Sequence, residues 1–490
     1  MEFQIPTLNL TIILPVLLVI GWGVALMVLD LFLAEDKKKW LAWLSLIGLV
    51  LALGQSIALW GDSYETFIPV GGTAMIVVDN YATFLNVLYL LTGILTILLA
   101  VNYLDKARLS QGEFYLLILF SISGMMLMGM SNDLIMVFLA LELLSIPLYI
   151  LSGYDRKRNA SEESALKYFL LGAFSSGFFM FGIVLMYGAT GSTALPVIAA
   201  NIGEGGALSM GAMALLLVGF GFKVAAVPFH MWTPDVYQGA PTAVTAFMSV
   251  GAKIGGFAAM IRLFMGVLPQ MGDIWVPVIA VLAALTMIVG NVVALAQQNI
   301  KRMLAYSSIA HAGYILMAVA SNTDQGVSAA LFYMMSYLFT NLGAFAIVIA
   351  IERQGNQGLS LDDYKGLAKR SPGLALILAY FMLSLTGVPP TGGFSGKFFV
   401  FRSLMDANPD LLWLMIVGVL TSVVSGYFYL RIVYYAFMVD GEGQAEMKPA
   451  LNTAVTLALV ATVILGFLPS YWFELTQAAA FRVSQIVAGG

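Results

Sequence analysis

Apolar runs, each close to the ~20 residues that a helix needs to cross a bilayer, recur along the whole length of this chain. Fourteen are legible, at about 10 to 33, 40 to 60, 80 to 102, 112 to 130, 132 to 152, 162 to 188, 207 to 238, 241 to 265, 275 to 295, 299 to 320, 325 to 351, 372 to 404, 410 to 438 and 451 to 469. The seventh and twelfth are interrupted. Of 490 residues, 60% are hydrophobic and 10% charged, against about 25% charged in an ordinary soluble domain. The expected fold is all-α and polytopic, a single membrane domain over residues 1–490.

Basic residues test that count, because cytoplasmic loops collect Lys and Arg. The loops after odd-numbered segments hold Lys37 to Lys39, Lys106 and Arg108, Arg156 to Arg158, Lys301 and Arg302, then Arg353, Lys365, Lys369 and Arg370, and finally Lys448. The other side has Arg402 and Arg482. Both termini are therefore expected on the non-cytoplasmic side of the cell (inner) membrane. The start "MEFQIPTLN" has no positive residue, so the first segment reads as a spanning helix and not as a cleaved signal. Six cations remain inside segments: Lys167, Lys223, Lys253, Arg262, Lys397 and Arg431. Arg262 and Arg431 sit within about two turns of a helix end and are expected to snorkel to the interface.

The absence of cysteine excludes a thiolate-ligated iron–sulfur cluster and any disulfide framework. Two histidines, His230 and His311, are too few for the paired ligands of two b-type haems. No convincing strand is present to carry a Gly-rich nucleotide loop, and nothing points to nucleic acid. The chain is expected to carry no electrons and to work on ions or small solutes.

An ionisable residue at the bilayer centre costs about 2.5 to 3.5 kcal/mol on insertion scales, so it is kept mainly where it faces protein or water and has a task. The fifth segment carries Glu142, the sixth Lys167, the seventh Lys223, the eighth Lys253, the tenth His311 and the twelfth Lys397. One titratable group on each of several neighbouring helices reads as a relay. A buried lysine can take and release protons where an arginine stays charged, and His311 suits an intermediate station. The competing readings are static ion pairs for Glu142 and the lysines, snorkelling for Lys167, and helix capping for His230 and Asp235.

In "GFKVAAVPFHMWTPD", Pro228 removes a backbone donor next to Lys223, and "VPPTGG" does the same before Lys397. Backbone left unsatisfied at membrane depth is tolerated only where it is buried in protein or lines water. Each break is therefore expected to mark a hydrated pocket with a lysine at it. Pro228 and Pro389 are 161 residues apart. An odd unit of five helices must be inverted in its second copy, the arrangement of many transporters. The repeats are expected at about 112 to 265 and about 275 to 438, with 1–111 and 439–490 as flanking helices and surface tail. The stretch Tyr471 to Val487 reads as amphipathic and lying at the membrane surface.

The stretches "GFKVAAVPFHMWTPDVYQGAPTAVTAFMSVGAK", "NIKRMLAYSSIAHAGY" and "SLTGVPPTGGFSGKFFVF" resemble the antiporter-like membrane subunits of respiratory complex I (NADH:quinone oxidoreductase), over essentially the whole chain. The resemblance implies about fourteen transmembrane helices with two inverted five-helix repeats and two discontinuous helices. It matches Glu142 and Lys223 to the family's Glu/Lys pair and Lys167 to its modulating lysine. Lys253 and His311 match its central hydrophilic axis, and Lys397 its terminal lysine on the exit side. It also implies a proton-translocating subunit without a redox centre of its own, moving protons out of the cytoplasm as quinone is reduced elsewhere. Flavin, iron–sulfur clusters and quinone belong by this resemblance to partner subunits. The implied contacts are the lipid bilayer, an antiporter-like neighbour and small membrane subunits. A glutamate at the Lys397 position or a long lateral helix beyond residue 490 would mark other members, and neither fits. Two alternatives are a monovalent cation/proton antiporter subunit of the Mrp type and a structural spacer between pumps.

Overall fold

A computed structural model describes residues 7–483 except 35–36, 70–71, 110–111, 204–205 and 354–356. It begins with α1 (Leu14–Asp30), α2 (Trp40–Ala58), α3 (Asn80–Ala107), α4 (Gly112–Met130), α5 (Leu134–Ser152) and α6 (Asn159–Thr190). After α7 (Leu195–Asn201), the seventh apolar segment is divided into α8 (Ala207–Val224) and α9 (Trp232–Gly239). The eighth contains α10 (Thr242–Phe247), a π-helical turn at Met248–Ala252 and α11 (Lys253–Phe264). Then come α12 (Gly272–Leu295), α13 (Ile300–Ala320), α14 (Asp324–Ile351) and α15 (Leu367–Arg370). The twelfth segment is divided into α16 (Pro372–Thr386) and α17 (Gly392–Ala407), followed by α18 (Leu412–Met438), α19 (Pro449–Phe467) and α20 (Pro469–Ala479).

Among the described residues, 12 helical segments are long and apolar enough to cross a membrane, and Leu14–Asp30 and Pro372–Thr386 are shorter apolar helices. Each of the fourteen expected segments has its helix. Polar residues at the boundaries start several of them by accepting orphan backbone N–H groups. Asp79 accepts from Ala82 at the start of α3, Asn299 from Lys301 and Arg302 at α13, Thr323 from Gly326 at α14, and Thr391 from Phe394 at α17. Helix burial then sorts the bundle. In their most apolar stretches, the α10–α11 segment is 100% buried and α13 and α14 are 94% buried, whereas α6 is 33% buried. The centre is therefore built from α10, α11, α13 and α14, and α6 shows most of its surface to lipid.

Three expectations need correction. A strand pair does exist: β1 (Tyr64–Thr66) and β2 (Ile76–Val78) run antiparallel with Tyr64 opposite Val78. It is too short to carry a nucleotide loop, and three-residue strands of mixed polarity leave no alternating pattern for the sequence to show. Arg262 does not snorkel. Its guanidinium is bidentate to Asp79 at 3.0 and 2.9 Å, donates to the Gly129 carbonyl at 3.0 Å, and lies 5.0 Å from the centre of the Tyr81 ring. Arg431 donates to the carbonyls of Leu295 and Gln297 at the end of α12, in keeping with a cation held near a helix end. Lys301, assigned to a loop, is fully buried inside α13. The stretch from Tyr471 forms α20, with Thr476 and Ala479 buried and Phe473 stacked on Phe399 at 3.9 Å. Its last part, 484–487, lies outside the described residues.

The two breaks are made alike. Helix α8 ends at Ala225, which takes the left-handed conformation with φ +62°, and α16 ends at Gly387 with φ +90°. Cis bonds occur at Val227-Pro228 and Pro389-Pro390. At Gly387 a side chain is excluded twice over, by the sign of φ and because a Cβ would come within 2.9 Å of Lys397 Cδ. A non-glycine residue in this conformation costs roughly 1 to 2 kcal/mol. Gly387→Ala is expected to lower stability by at least that amount, about 1 to 2 kcal/mol, read as a lower unfolding midpoint in detergent. Gly373→Ala, where nothing lies within 4 Å of the added carbon, should leave the midpoint unchanged.

Candidate functional site

Lys223, Lys253 and Lys397 each lie beside an irregularity in their helices. Lys223 occupies the last turn of α8 before the break, where the carbonyl end of the helix dipole favours a positive charge. Its stem lies against Gly256 of α11, where an added Cβ would meet Lys223 Cγ at 3.2 Å and Val224 Cγ1 at 3.0 Å. The ammonium donates to Ser145 Oγ at 2.5 Å and stands 5.9 Å from the centre of the Tyr168 ring. Lys253 follows directly on the π-helical turn and donates to the carbonyl and the hydroxyl of Ser308, at 2.5 and 2.8 Å. π-turns inside α-helices are frequent at functional positions.

His311 lies one turn beyond Ser308 on α13. Its Nδ1 shares a 2.7 Å hydrogen bond with the Tyr333 hydroxyl and its Nε2 a 3.2 Å one with Tyr429. Tyr429 also contacts the Ser307 hydroxyl. Lys397 is held by the second break itself: Nζ donates to the carbonyls of Leu385 at 3.2 Å and Thr386 at 2.8 Å, and to Ser422 Oγ at 2.7 Å. It also sits 4.7 Å over the Tyr314 ring, which in turn lies 6.0 Å from the His311 ring. Lys223, Lys253, His311 and Lys397 are all at most 5% exposed.

The structure therefore brings Lys253, His311 and Lys397 into one connected set of hydroxyls and rings. Glu142 and Lys223 are close enough for their charges to interact, yet among the described residues no salt bridge joins them. Glu142 accepts from Ser176 of α6 at 2.5 Å, and Lys223 uses Ser145, three residues further along α5. Lys167 lies apart. It pairs with Glu163 at 2.6 Å and with Asp235 at 2.7 Å, and Asp235 also receives Arg302 at 2.7 Å. Asp235 is thus an ion-pair centre and caps no helix. The His230 carbonyl accepts from Thr233 N, and the His230 Nδ1 has no hydrogen-bond partner among the described residues.

Two small cavities, each about 10 Å3, lie along the row, about the space that one water centre needs. One is bounded by Tyr149, Ser175, Ser176, Phe222 and Lys223, the other by His311, Tyr333, Tyr337, Thr340 and Ser384. The second reaches Gly393, on the far side of the second break. The serine and tyrosine partners were not legible in the sequence, because hydroxyl residues on apolar helices usually bond their own backbone. Lys301 did leave a signal: it stands seven residues before Ser308, two turns along one face of α13. No group of three or more His, Asp or Glu side chains is placed to hold a metal ion among the described residues.

A family model for the transmembrane region of NADH:quinone oxidoreductase and Mrp antiporters matches residues 131–425, the span from just before α5 to the middle of α18. The NADH-quinone oxidoreductase subunit N of Chloroflexus aggregans is 46% identical over 100% of both chains. The chain belongs to the NADH:quinone oxidoreductase/Mrp antiporter family. Subunit N of Trichlorobacter lovleyi is 44% identical, with 96% of this chain and 97% of that one covered. Among solved structures, a chain of respiratory complex I from Thermus thermophilus is 36% identical, covers 95% of this chain and all of its own, and superposes with a TM-score of 0.81. A chain of the Mrp complex from Dietzia shares the fold at TM-score 0.81 over 97% of this chain and 98% of its own, with 21% identity. All of the relay candidates, from Glu142 to Lys397, lie inside the family's matched region.

Among the described residues, Ser145 supplies the one hydrogen bond held by Lys223 Nζ. A hydrogen bond to a charged group contributes about 1.5 to 3 kcal/mol. Ser145→Ala is expected to reduce the stability of the detergent-solubilised chain by about that amount, 1.5 to 3 kcal/mol, measured by thermal unfolding. Ser145→Thr, which keeps the hydroxyl, should recover most of it.

Proposed function

We propose that this chain is subunit N of a redox-driven NADH:quinone oxidoreductase, and that it moves protons out of the cytoplasm through its own buried side chains. The names of its relatives support the assembly. The observation that carries the transport reading is the row itself. Four cationic or titratable side chains are each buried, two of them, Lys253 and His311, on the most enclosed helices, and hydroxyls and small cavities lie along the row. A static framework would more readily use carboxylate partners, as Arg262 does with Asp79.

Protons enter from the side that carries the basic loops, taken here as the cytoplasm. The Glu142 and Lys223 charges form the switch. Each has its own serine in this structure, so the pair closes by side-chain rotation and opens again without a helix moving. When the charges separate, Lys223 loses electrostatic support for its proton and passes it towards Lys253. Lys253 hands over through the hydroxyl network to His311, and His311 to Lys397 across Tyr314. Lys397 sits on the carbonyls freed by the second break, which stabilise its charged form until a proton can leave on the opposite side. Lys167 sets the field at the entrance through Asp235 and Arg302.

The matched breaks, each with a left-handed residue and a neighbouring lysine, support two inverted five-helix units at about 112 to 265 and about 275 to 438. The outer helices, 1–111 and 439–490, flank them. Exposed apolar residues on α6, Leu166, Phe169, Leu170 and Phe174, suit lipid or an antiporter-like neighbour. Quinone reduction, with its flavin and iron–sulfur chemistry, is supplied by partner subunits, and the membrane is the cell (inner) membrane.

Lys223→Met in a fully assembled complex is expected to lower donor-driven proton uptake by inverted vesicles roughly a hundredfold, the scale of losing a positioned acid–base group. Uptake at the normal rate would refute the scheme. Lys397→Arg keeps the charge but cannot release a proton, and should be as damaging as Lys397→Met. A purely structural cation would tolerate the arginine.

A further inference from the structure

A second polar chamber lies under the basic loops, away from Glu142 and Lys223. Glu352 ends α14, and its carboxylate is 5% exposed. One oxygen receives the Tyr103 hydroxyl at 3.5 Å, and Tyr103 in turn accepts from the Thr242 backbone at 3.0 Å. The other oxygen, Oε2, has no partner among the described residues. Neither do the Thr242 and Tyr364 hydroxyls, both of which lie close enough to interact with that carboxylate. Three buried polar groups facing one another without partners describe a site that holds water, since a buried water takes two to four such contacts.

The chamber has two openings in electrostatic terms. Towards solvent, the charges of Lys106, in the last turn of α3, and Arg158, at the start of α6, reach Glu352. Inward, its charge acts on Lys301, which is fully buried and donates to the Ala240 carbonyl at 2.5 Å. Burial raises the Glu352 pKa above the usual carboxylate range, with Lys301 and the other cations opposing the rise. Ala240 closes α9, and Tyr237 stands one turn earlier on it. The Tyr237 hydroxyl is buried, closes no full hydrogen bond among the described residues, and lies close enough to Ser308, the residue that holds Lys253, to interact with it. Tyr337 approaches Ser308 from α14 in the same way. Lys301 and Ser308 are two turns apart on α13, about 10 Å at 1.5 Å per residue. That gap is one tyrosine side chain and bound water wide.

We propose that Glu352 and Lys301 form a water-filled proton-delivery site that loads Lys253 through Tyr237 and Ser308, in parallel with the Glu142 and Lys223 pair. This rests on the relay reading of Lys253. A proton from bulk water protonates Glu352. Glu352 passes it to Lys301 when that lysine is neutral, and hydroxyls and water carry it on to neutral Lys253, so each transfer leaves the donor one proton poorer and the acceptor one richer. Lys301 and the carboxylate then wait for the next proton from the loop side. In this arrangement the switch pair governs when Lys253 is emptied, and the chamber governs how fast it refills.

The test uses the whole complex in inverted membrane vesicles, with assembly confirmed, and reads donor-driven proton uptake and electron transfer across the neutral pH range. Glu352→Gln, Lys301→Met and Tyr237→Phe are compared with Lys253→Met. The expected result is that Lys253→Met blocks uptake at every pH. The delivery variants should slow it by roughly tenfold at the alkaline end and recover as the outer medium is acidified, because bulk protons then replace the lost carrier. Glu352→Asp should keep most of the rate. If the three variants pump at the wild-type rate, or lose the same factor at all pH values, while Lys253→Met blocks, the delivery site is wrong and the relay stands. If Lys253→Met pumps normally, both fall. Should Glu352→Gln fail to assemble, Tyr237→Phe decides, since its hydroxyl has no full hydrogen bond among the described residues to lose.

Discussion

An ammonium group inside a bilayer has to find oxygen atoms, and the places where this bundle supplies them determine much of its shape. Regular helices offer few, because most of their carbonyls are already engaged along the ladder. The chain makes acceptors by interrupting its helices. At the second break, α16 stops at a left-handed glycine and leaves the carbonyls of Leu385 and Thr386 to Lys397. At the first, the freed Phe222 carbonyl goes to the Trp232 indole, and Lys223 turns instead to a serine on α5. Lys253, directly after a π-helical turn, takes the hydroxyl and carbonyl of Ser308 on α13. The need for acceptors in a dry interior is thus met by the helix break itself at Lys397 and by serines of neighbouring helices at Lys223 and Lys253.

Helix α13 is the element on which these sites converge. It carries Lys301, Ser308, His311 and Tyr314 along about four turns, and it is buried almost throughout. Lys253 reaches it from α11, Tyr333 from α14, Tyr429 from α18, and Lys397 from α17 across Tyr314. A helix so enclosed has little freedom to tilt. In the proposed relay, proton movement therefore relies on side-chain rotation and water rather than on rigid-body motion.

Carboxylates are distributed differently from the cations. Asp79 meets Arg262 in direct, bidentate contact, and Asp235 holds Lys167 and Arg302 together. These pairs are fixed points. Glu142 and Glu352 are each placed near a buried lysine without touching it, within range of its charge. A carboxylate at that separation tunes a lysine without locking it, which is the physical distinction between a strut and a switch. Lys167, the lysine whose sequence position also allowed snorkelling, is in direct contact with Glu163 and Asp235.

Composition and periodicity alone established the helical membrane fold, its segments, the two breaks and the identity of the deep cations. Each of these rests on short-range chemistry: apolar length, proline at a known position, charge against bilayer cost. The two-stranded pair at Tyr64–Thr66 and Ile76–Val78, the inward turn of Arg262 and the burial of Lys301 were decided elsewhere. Each depends on what lies across from the residue: a partner strand, Asp79, the Ala240 carbonyl. Sequence order says which helix a lysine is on. Which oxygen solvates it, and whether its carboxylate stands in contact or one water away, follows from packing between helices distant along the chain, and only the tertiary structure decides that.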